Sequence, residues 1–225
     1  MCGRFNLTDL PGLAALLDAL GIHHPLPPPR ANIAPSEEVL LLHDGTAEEA
    51  RWWFVPHWAP EPSTRFSTFN ARAESLSRSR AFAAAFRRQR GVVPMSSFLE
   101  WRREGRRRVP WRVRRASGVL AAAAVWDRWG RGAEAFVSCA VVTVAAPPAF
   151  APWHARMPLL LADDELARWL DNAHPVAADD ALFRPALKFP LRLAPLSPAV
   201  NDARRKDPAL MEPVGAEVEL PPPGE

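Results

Sequence analysis

Cys2 directly follows the initiator methionine. A second residue this small makes Met1 readily removable, and its loss would leave a 1,2-aminothiol at the head of the chain. An α-amine has a reference pKa of about 7.7–8.0 and a thiol one of about 8.5, so at neutral pH a useful share of that amine is unprotonated. Such an amine attacks an aldehyde to give an imine. The adjacent thiol then adds to the imine carbon and closes a five-membered thiazolidine, a step that gains from the tethered nucleophile. On position alone, the plainer reading is that Cys2 is just a small residue behind the initiator. Glu100 stands in Ser97-Phe98-Leu99-Glu100-Trp101. A carboxylate inside an apolar strand is costly to bury ionised, so it either acquires a raised pKa and serves as acid or base, or alternation turns it to solvent. His154 precedes Ala155-Arg156-Met157-Pro158, where a loop imidazole could shuttle protons and an arginine two residues on could hold a phosphate. Asn70-Ala71-Arg72-Ala73-Glu74 offers an amide to orient a carbonyl or hydroxyl and a guanidinium for phosphate, or else a plain turn and helix start.

Of the 28 basic residues only Lys188 and Lys206 are lysines, so 26 are arginines. Arginine offers a planar fork of donors suited to phosphate, although a GC-rich coding bias gives the same excess together with the many Ala and Pro. Placement is more informative than the count. The last 14 residues hold four glutamates and no base, which leaves +7 on residues 1–211, compatible with nucleic acid without demanding it. The stretch 102–115 holds eight arginines and one acid, read as a solvated hairpin or as a nucleic-acid contact. Nine tryptophans accompany no tyrosine. Trp58, Trp101 and Trp153 lie beside the polar motifs, where indoles could stack on bases. Cys139, among valines, reads as a buried structural thiol. The remaining histidines show no metal-ligand spacing, and no metal site or cofactor is expected.

The composition sets the frame for these groups. In 225 residues, 48% hydrophobic and 24% charged with a net charge of +3, dominant disorder is excluded. The longest apolar stretch, 118–126, is about half of the roughly 20 residues a helix needs to cross a bilayer. No basic start and apolar run mark a secretory signal. The expectation is therefore a cytoplasmic protein with no membrane association, and two cysteines exclude a disulfide framework and a four-thiolate metal site.

Thr8 or Asp9 can cap a helix carrying Leu10, Leu13, Leu16, Leu17 and Leu20 and stopping at Gly21. Residues 23–30 form a Pro-rich loop. Short strands are predicted over 39–43 and 52–55, a polar loop over 59–68, and a helix bearing Phe82 and Phe86 to about Arg88. Strands 98–101 and 109–113 flank a hairpin turn centred on Gly105. Longer strands follow over 119–126 and 136–144, then one over 157–161, a helix capped by Asp163 and ending near Leu170, and a strand over 191–193. The last dozen residues read as a loose acidic tail. Many short strands with three helices predict an α+β fold, a single β-rich domain with a curled or barrel-like sheet and flanking helices. The domain is expected over 1–213, with an acidic Pro-rich tail over 214–225, and as a monomer.

Taken in order, Met1-Cys2-Gly3-Arg4-Phe5, Asn32-Ile33-Ala34-Pro35, the segment 52–59 (WWFVPHWA), Asn70-Ala71-Arg72-Ala73-Glu74, the segment 88–101 ending in Phe-Leu-Glu-Trp, His154-Ala155-Arg156-Met157-Pro158 and, more weakly, Ser197-Pro198-Ala199-Val200-Asn201 resemble the SOS-response-associated peptidase (SRAP) family. The resemblance runs from residue 1 to about 213. It implies a compact β-rich fold with a positively charged groove, acting as a sensor and shield of abasic sites in single-stranded DNA. It also implies that Cys2, once Met1 is removed autocatalytically by a cysteine-type peptidase step, forms a thiazolidine cross-link with the abasic-site aldehyde. By motif position Asn70, Glu100 and His154 would line the site with Cys2. Asn70 would position the reacting N-terminus and sugar, and Glu100 and His154 would serve the proton transfers. Arg4, Arg72 and Arg156 match phosphate-binding positions, and Pro35, Trp58 and Trp101 match positions lining the groove or site. The protein would then be nucleoid-associated when bound to DNA.

The chain departs from the family pattern at Trp53 and Ser97, where glycine is usual, at Leu99, where an aromatic is usual, and at Ala59, where some members carry a second tryptophan. These changes touch groove shape and leave every reactive group in place. Three other readings share the same residues: a peptidase with Cys2, His154 and Glu100 as nucleophile, base and orienter, a non-covalent single-strand binding module, and a β-elimination lyase that cuts through the imine.

Overall fold

The computed structural model describes residues 3–63 and 66–222. Its strands are β1 (Phe5–Leu7), β2 (Arg30–Ile33), β3 (Glu38–His43), β4 (Thr46–Arg51), β5 (Asn70–Arg72), β6 (Arg90–Met95), β7 (Ser97–Glu104), β8 (Arg107–Arg115), β9 (Leu120–Trp129), β10 (Phe136–Ala145), β11 (Arg156–Pro158), β12 (Leu160–Leu161), β13 (Leu191–Pro195) and β14 (Val218–Leu220). Three α-helices accompany them, α1 (Leu10–Ala19), α2 (Ala83–Arg88) and α3 (Leu166–Leu170).

Helix α1 starts where the Asp9 carboxylate accepts the Gly12 N–H at 2.9 Å, buries Leu13 and Leu17, and stops before Gly21, whose φ of +65° suits a residue without Cβ. The long strands form two sheets. One runs β14–β13–β8–β7–β1–β2. In the other, β10, β4, β3, β6 and β9 are neighbours in turn, and β9 pairs back onto β10, so five strands close into a barrel. Closure is tight because the barrel wall is small-sided. Ala121 to Ala124 of β9 are all buried, and a Cβ on Gly91 would stand 2.9 Å from the Leu42 carbonyl of β3. The result is the single β-rich, barrel-like domain expected from the sequence, and its core runs from the barrel interior to the inner face of the six-stranded sheet.

The structure corrects four local expectations. The apolar run 52–55 is bent backbone, not strand. The strand lies just upstream in the charged segment of β4, set by a tight turn at Asp44 (φ +46°) and Gly45 (φ +72°). Residues 157–161 break into β11 on β10 and β12 on β9. Leu159 bridges the two, donating to the Val142 carbonyl and accepting from Ala123 N–H. Asp163 does not cap α3. It pairs with Arg115, while Glu165 reaches back to the Ala162 N–H at 2.8 Å, and the helix is shorter than predicted. Lastly, the expected loose tail includes β14, an edge strand paired with β13 from Leu191↔Leu220 to Leu193↔Val218.

Candidate active site and nucleic-acid interface

Strand β1 sets the position of the site. Phe5 pairs with Phe98 of β7, and the Leu99 N–H donates to the Arg4 carbonyl at 2.9 Å, so the N-terminal segment lies along the start of β7. Alternation along β7 then places Glu100 on the same face as the core residue Phe98, opposite Trp111 of β8. Glu100 is only 2% exposed, and burial pushes its carboxyl up to about 7. The inward reading of this residue therefore holds. Trp101, on the other face, is half-buried, its indole N–H donating to Asn201 Oδ1 at 2.7 Å. The Arg4 guanidinium lies 5.7 Å from the Trp101 ring centre.

His154 sits at the end of the β10–β11 connection, which the Ala146 N–H closes by donating to the Ala155 carbonyl. Its Nδ1 lies 3.0 Å from the Arg156 N–H and 2.9 Å from the Arg156 carbonyl. The backbone of one residue thus offers a donor to the neutral ring and an acceptor to the protonated one. Burial lowers the imidazole pKa, and the charges of Arg156 and Arg108 act in the same direction. Glu100 and His154 line one cleft of about 340 Å³, together with Trp101, Arg103, Arg108, Pro152 and Trp153. Behind it Trp111 and Trp153 meet edge to face at 5.6 Å, and Arg102 stacks on both, at 5.7 and 5.2 Å.

The other expected residues lie outside that lining. Asn70 opens β5, buried against Val141 of β10. Thr143 of β10 faces Arg72 on one side and Pro158 of β11 on the other. Strand β10 thus holds the Asn70 and His154 motifs together, and a bidentate pair at 3.0 and 2.9 Å joins Arg156 of one to Glu74 of the other. That guanidinium also donates to the Thr143 carbonyl at 2.6 Å, so its expected phosphate fork is already engaged. Arg72 is exposed. Trp58 is 45% exposed, with Arg80 stacked 4.9 Å over its ring. Pro35 lies half-buried in the turn after β2. Cys2 and Met1 lie outside the described residues. Cys139 is buried, and desolvation pushes its thiol up to about 12, so it stays protonated. Among the described residues no group of His, Cys, Asp and Glu could hold a metal ion, and no helix is long and apolar enough to cross a membrane.

Three features escaped the sequence reading. Asn32, fully buried with φ +55°, accepts from Arg4 at 2.7 Å, and its amide donates to the carbonyls of Val200, Asp202 and Arg205. It thereby fixes Arg4 and the segment carrying Asn201. It opened a motif that the sequence had singled out, but its role did not show there; the local signal was asparagine's tolerance of left-handed backbone. Buried Asp127 accepts both the backbone N–H and Nδ1 of His57, each at 2.8 Å, and so pins the loop bearing Trp58. Arg103 and Arg108 enter the cleft as a directly opposed pair, which only the ladder register could single out of the arginine run.

The fold and site define a class: a small β-barrel domain that brings a carboxyl and an imidazole, both with displaced pKa values, into a cleft walled by arginine and tryptophan. Residues 1–203 match the family described as SOS response associated peptidase (SRAP), and the chain belongs to that family. It is 30% identical over 233 residues to the abasic site processing protein YedK of Escherichia coli, covering 95% of this chain and all of that one. It is 28% identical over 225 residues to the abasic site processing protein YoqW of Bacillus subtilis, covering 94% and 99%. A crystal structure of a Bacteroides thetaiotaomicron protein has the same fold, with a TM-score of 0.80 at 17% identity over 93% of this chain and 99% of that one.

Proposed function

We propose that this protein processes abasic sites in single-stranded DNA by trapping them covalently, as a thiazolidine on Cys2 exposed by hydrolysis of the Met1–Cys2 peptide bond. The observation that carries the reading is the shared cleft of Glu100 and His154, at the strand that the N-terminal segment lies along. Two residues of chain reach about 7 Å at most, so the Cys2 Cα is tethered within that distance of the Arg4 Cα. The names of the relatives supply the substrate, since YedK and YoqW are both described as abasic site processing proteins.

An abasic sugar is mostly a closed hemiacetal. Opening it moves the hydroxyl proton of C1 to a base and gives a proton to the ring oxygen. A carboxyl with a pKa near 7 is present in both forms at neutral pH and can do either. The Cys2 amine adds to the aldehyde carbon. The carbinolamine takes a proton and leaves water, giving the iminium. The Cys2 sulfur then bonds to the same carbon, and its proton departs to a base. One aldehyde and one aminothiol thus become one thiazolidine and one water. His154, with its pKa lowered, accepts protons at neutral pH, and the reverse sequence releases the sugar. Asn70 orients the amine and sugar, while Arg4, Arg72, Trp58, Trp101 and Pro35 border the strand. The protein works as a monomer, in the cytoplasm and at the nucleoid when bound to DNA, with no cofactor.

The test is a denaturing gel of the purified protein, its N-terminus checked by mass spectrometry, mixed with an oligonucleotide carrying one abasic site and no borohydride. A band heavier by one protein mass, absent with Cys2→Ala, is expected. Strand cleavage without a retained protein band would replace the trap with a β-elimination lyase. No band from a protein shown to lack Met1 would overturn the reading.

A further inference from the structure

We propose that the β7–β8 hairpin is the track for the phosphate backbone of the strand that enters the cleft, with Arg103 and Arg108 as a two-armed clamp on one phosphate and Arg106 and Arg107 contacting phosphates beyond it. The inference rests on the function proposed above for its ligand, and on the hairpin itself for its place.

Arg103 and Arg108 stand directly opposite each other in the ladder, and both line the cleft of Glu100 and His154. Like charges so placed repel and destabilise a sheet, and an anion held between them reverses that sign. Arg103, Arg106, Arg107 and Arg108 are all exposed, and none makes a salt bridge among the described residues. Glu104 is the one acid in the turn region and faces Arg107 across the ladder without closing an ion pair. The arginines at the other end of the same ribbon are neutralised: Arg114 by Glu217, Arg115 by Asp163, and the neighbouring Arg192 by Glu219. The hairpin tip therefore holds positive charge that the fold does not compensate, beginning at the cleft and running outward. Gly105 lies five residues past Glu100, about 17 Å along the strand, enough for a track rather than a point contact.

The chemistry of the two faces fits a nucleic-acid strand better than an acidic protein. Trp101 and Pro110 form the next cross-strand pair on the Arg103–Arg108 face, so an aromatic ring is followed at once by a phosphate fork. Alternation of ring and cation is what an unstacked strand requires, with bases lying on rings and phosphates on guanidiniums.

The experiment uses the full chain and a labelled, undamaged single-stranded oligonucleotide, with affinity measured between about 50 and 200 mM salt. Each phosphate contact contributes about 0.7 to the slope of log affinity against log salt for single strands. Combined Arg103→Gln, Arg106→Gln, Arg107→Gln and Arg108→Gln substitution should lower the slope by about 2, for three phosphates. The control is combined Arg114→Gln and Arg192→Gln substitution, which should leave the slope as in the wild type. An unchanged slope in the hairpin variant overturns the proposal. So does a fall in the control half as large as the hairpin variant's or more, since the control loses two charges against four and binding would then follow net charge alone. If circular dichroism shows the fourfold variant unfolded, Arg106→Gln with Arg107→Gln at the turn carries the test, with an expected fall of about 1.4 and the same reversal if none is seen. The adduct gel on an abasic oligonucleotide is read separately: no adduct with the wild type, alongside a hairpin-dependent slope, would remove the chemistry and keep the track.

Discussion

At the tip of the β7–β8 ribbon four exposed arginines have one acid among them, and at its base Arg114 and Arg115 are closed into ion pairs with Glu217 and Asp163. Residue type is the same at both ends, and all of them but Arg106, which lies in the turn, stand on a strand. What differs is whether the fold brings a carboxylate to the guanidinium. At the base it does, from the residue just before β14 and from a distant loop, and those arginines join the sheet to the start of β14 and to the segment before α3. At the tip it does not, and the charge is left for something outside the chain. A coding bias that scatters arginines explains their number, while pairing separates those serving the fold from those available to a ligand. Arg90 is a third case. It is wholly buried, and its guanidinium donates to the carbonyls of Trp169, Phe86, Arg87, Asp171 and His174.

The contrast gives its largest effect at Arg90. Replacing Arg90 by Ala strands five buried or half-buried carbonyls and opens a cavity between α2, α3 and the barrel. A loss of about 3–5 kcal/mol in urea unfolding is expected, with the midpoint shifted at constant m. A loss below about 1 kcal/mol would mean that water replaces the guanidinium, and that Arg90 belongs with the surface arginines.

Next comes Glu100, where the ribbon meets the cleft. Its folded pKa of about 7 lies above the ordinary 4.5. The native state therefore binds this proton more tightly than the unfolded state does. Its stabilising contribution is complete below about pH 4.5 and is lost as the pH rises to about 7, by up to about 3 kcal/mol. Glu100→Gln keeps the shape and removes the titration. Relative to the wild type it should gain stability from pH 5 to pH 8, and parallel pH profiles for the two proteins would break the assignment. The same site chemistry predicts that this stabilised variant forms or releases the adduct more slowly.

How much of this was legible in the residues follows from the range of the interactions. Helix α1 was legible because its leucine spacing, Asp9 and Gly21 are all local. The hairpin was legible because Gly105 punctuates two alternating runs. Strand β4 was not, since Thr46–Arg51 is mostly polar and its pairing is imposed by the turn at Asp44 and Gly45. The run 52–55 misled for the opposite reason: its burial comes from Trp52 and Phe54 filling the core from bent backbone. In the site, Glu100 and His154 stood out by type, but the residues left Glu100 open between core and solvent, and its burial opposite Trp111 decided it. The engagement of Arg156 with Glu74 spans 82 residues and left no trace in either motif. The sorting of arginines into paired and unpaired likewise rests on β14 and on Asp163, which lie far along the chain.

The smallest effect is the sharpest test, because its sign differs between the two ends. Arg108→Glu places opposite charges at the Arg103–Arg108 rung, removing a repulsion and adding an attraction at an exposed site. Cross-strand pairs of this kind are worth about 0.2–1 kcal/mol, so the melting temperature should hold or rise slightly while affinity for single-stranded DNA falls. Arg114→Glu does the reverse. Its partner Glu217 would meet a like charge and β14 would loosen, at a cost of about 1 kcal/mol discounted for partial exposure, while DNA affinity changes little. Both variants carry the same change in net charge, so any effect of overall charge on binding or solubility cancels between them. Thermal melts and a binding titration on the pair read the difference directly. If the two variants moved together in both measurements, pairing would not be what distinguishes the ends of the ribbon, and net charge alone would account for the protein's affinity for a polyanion.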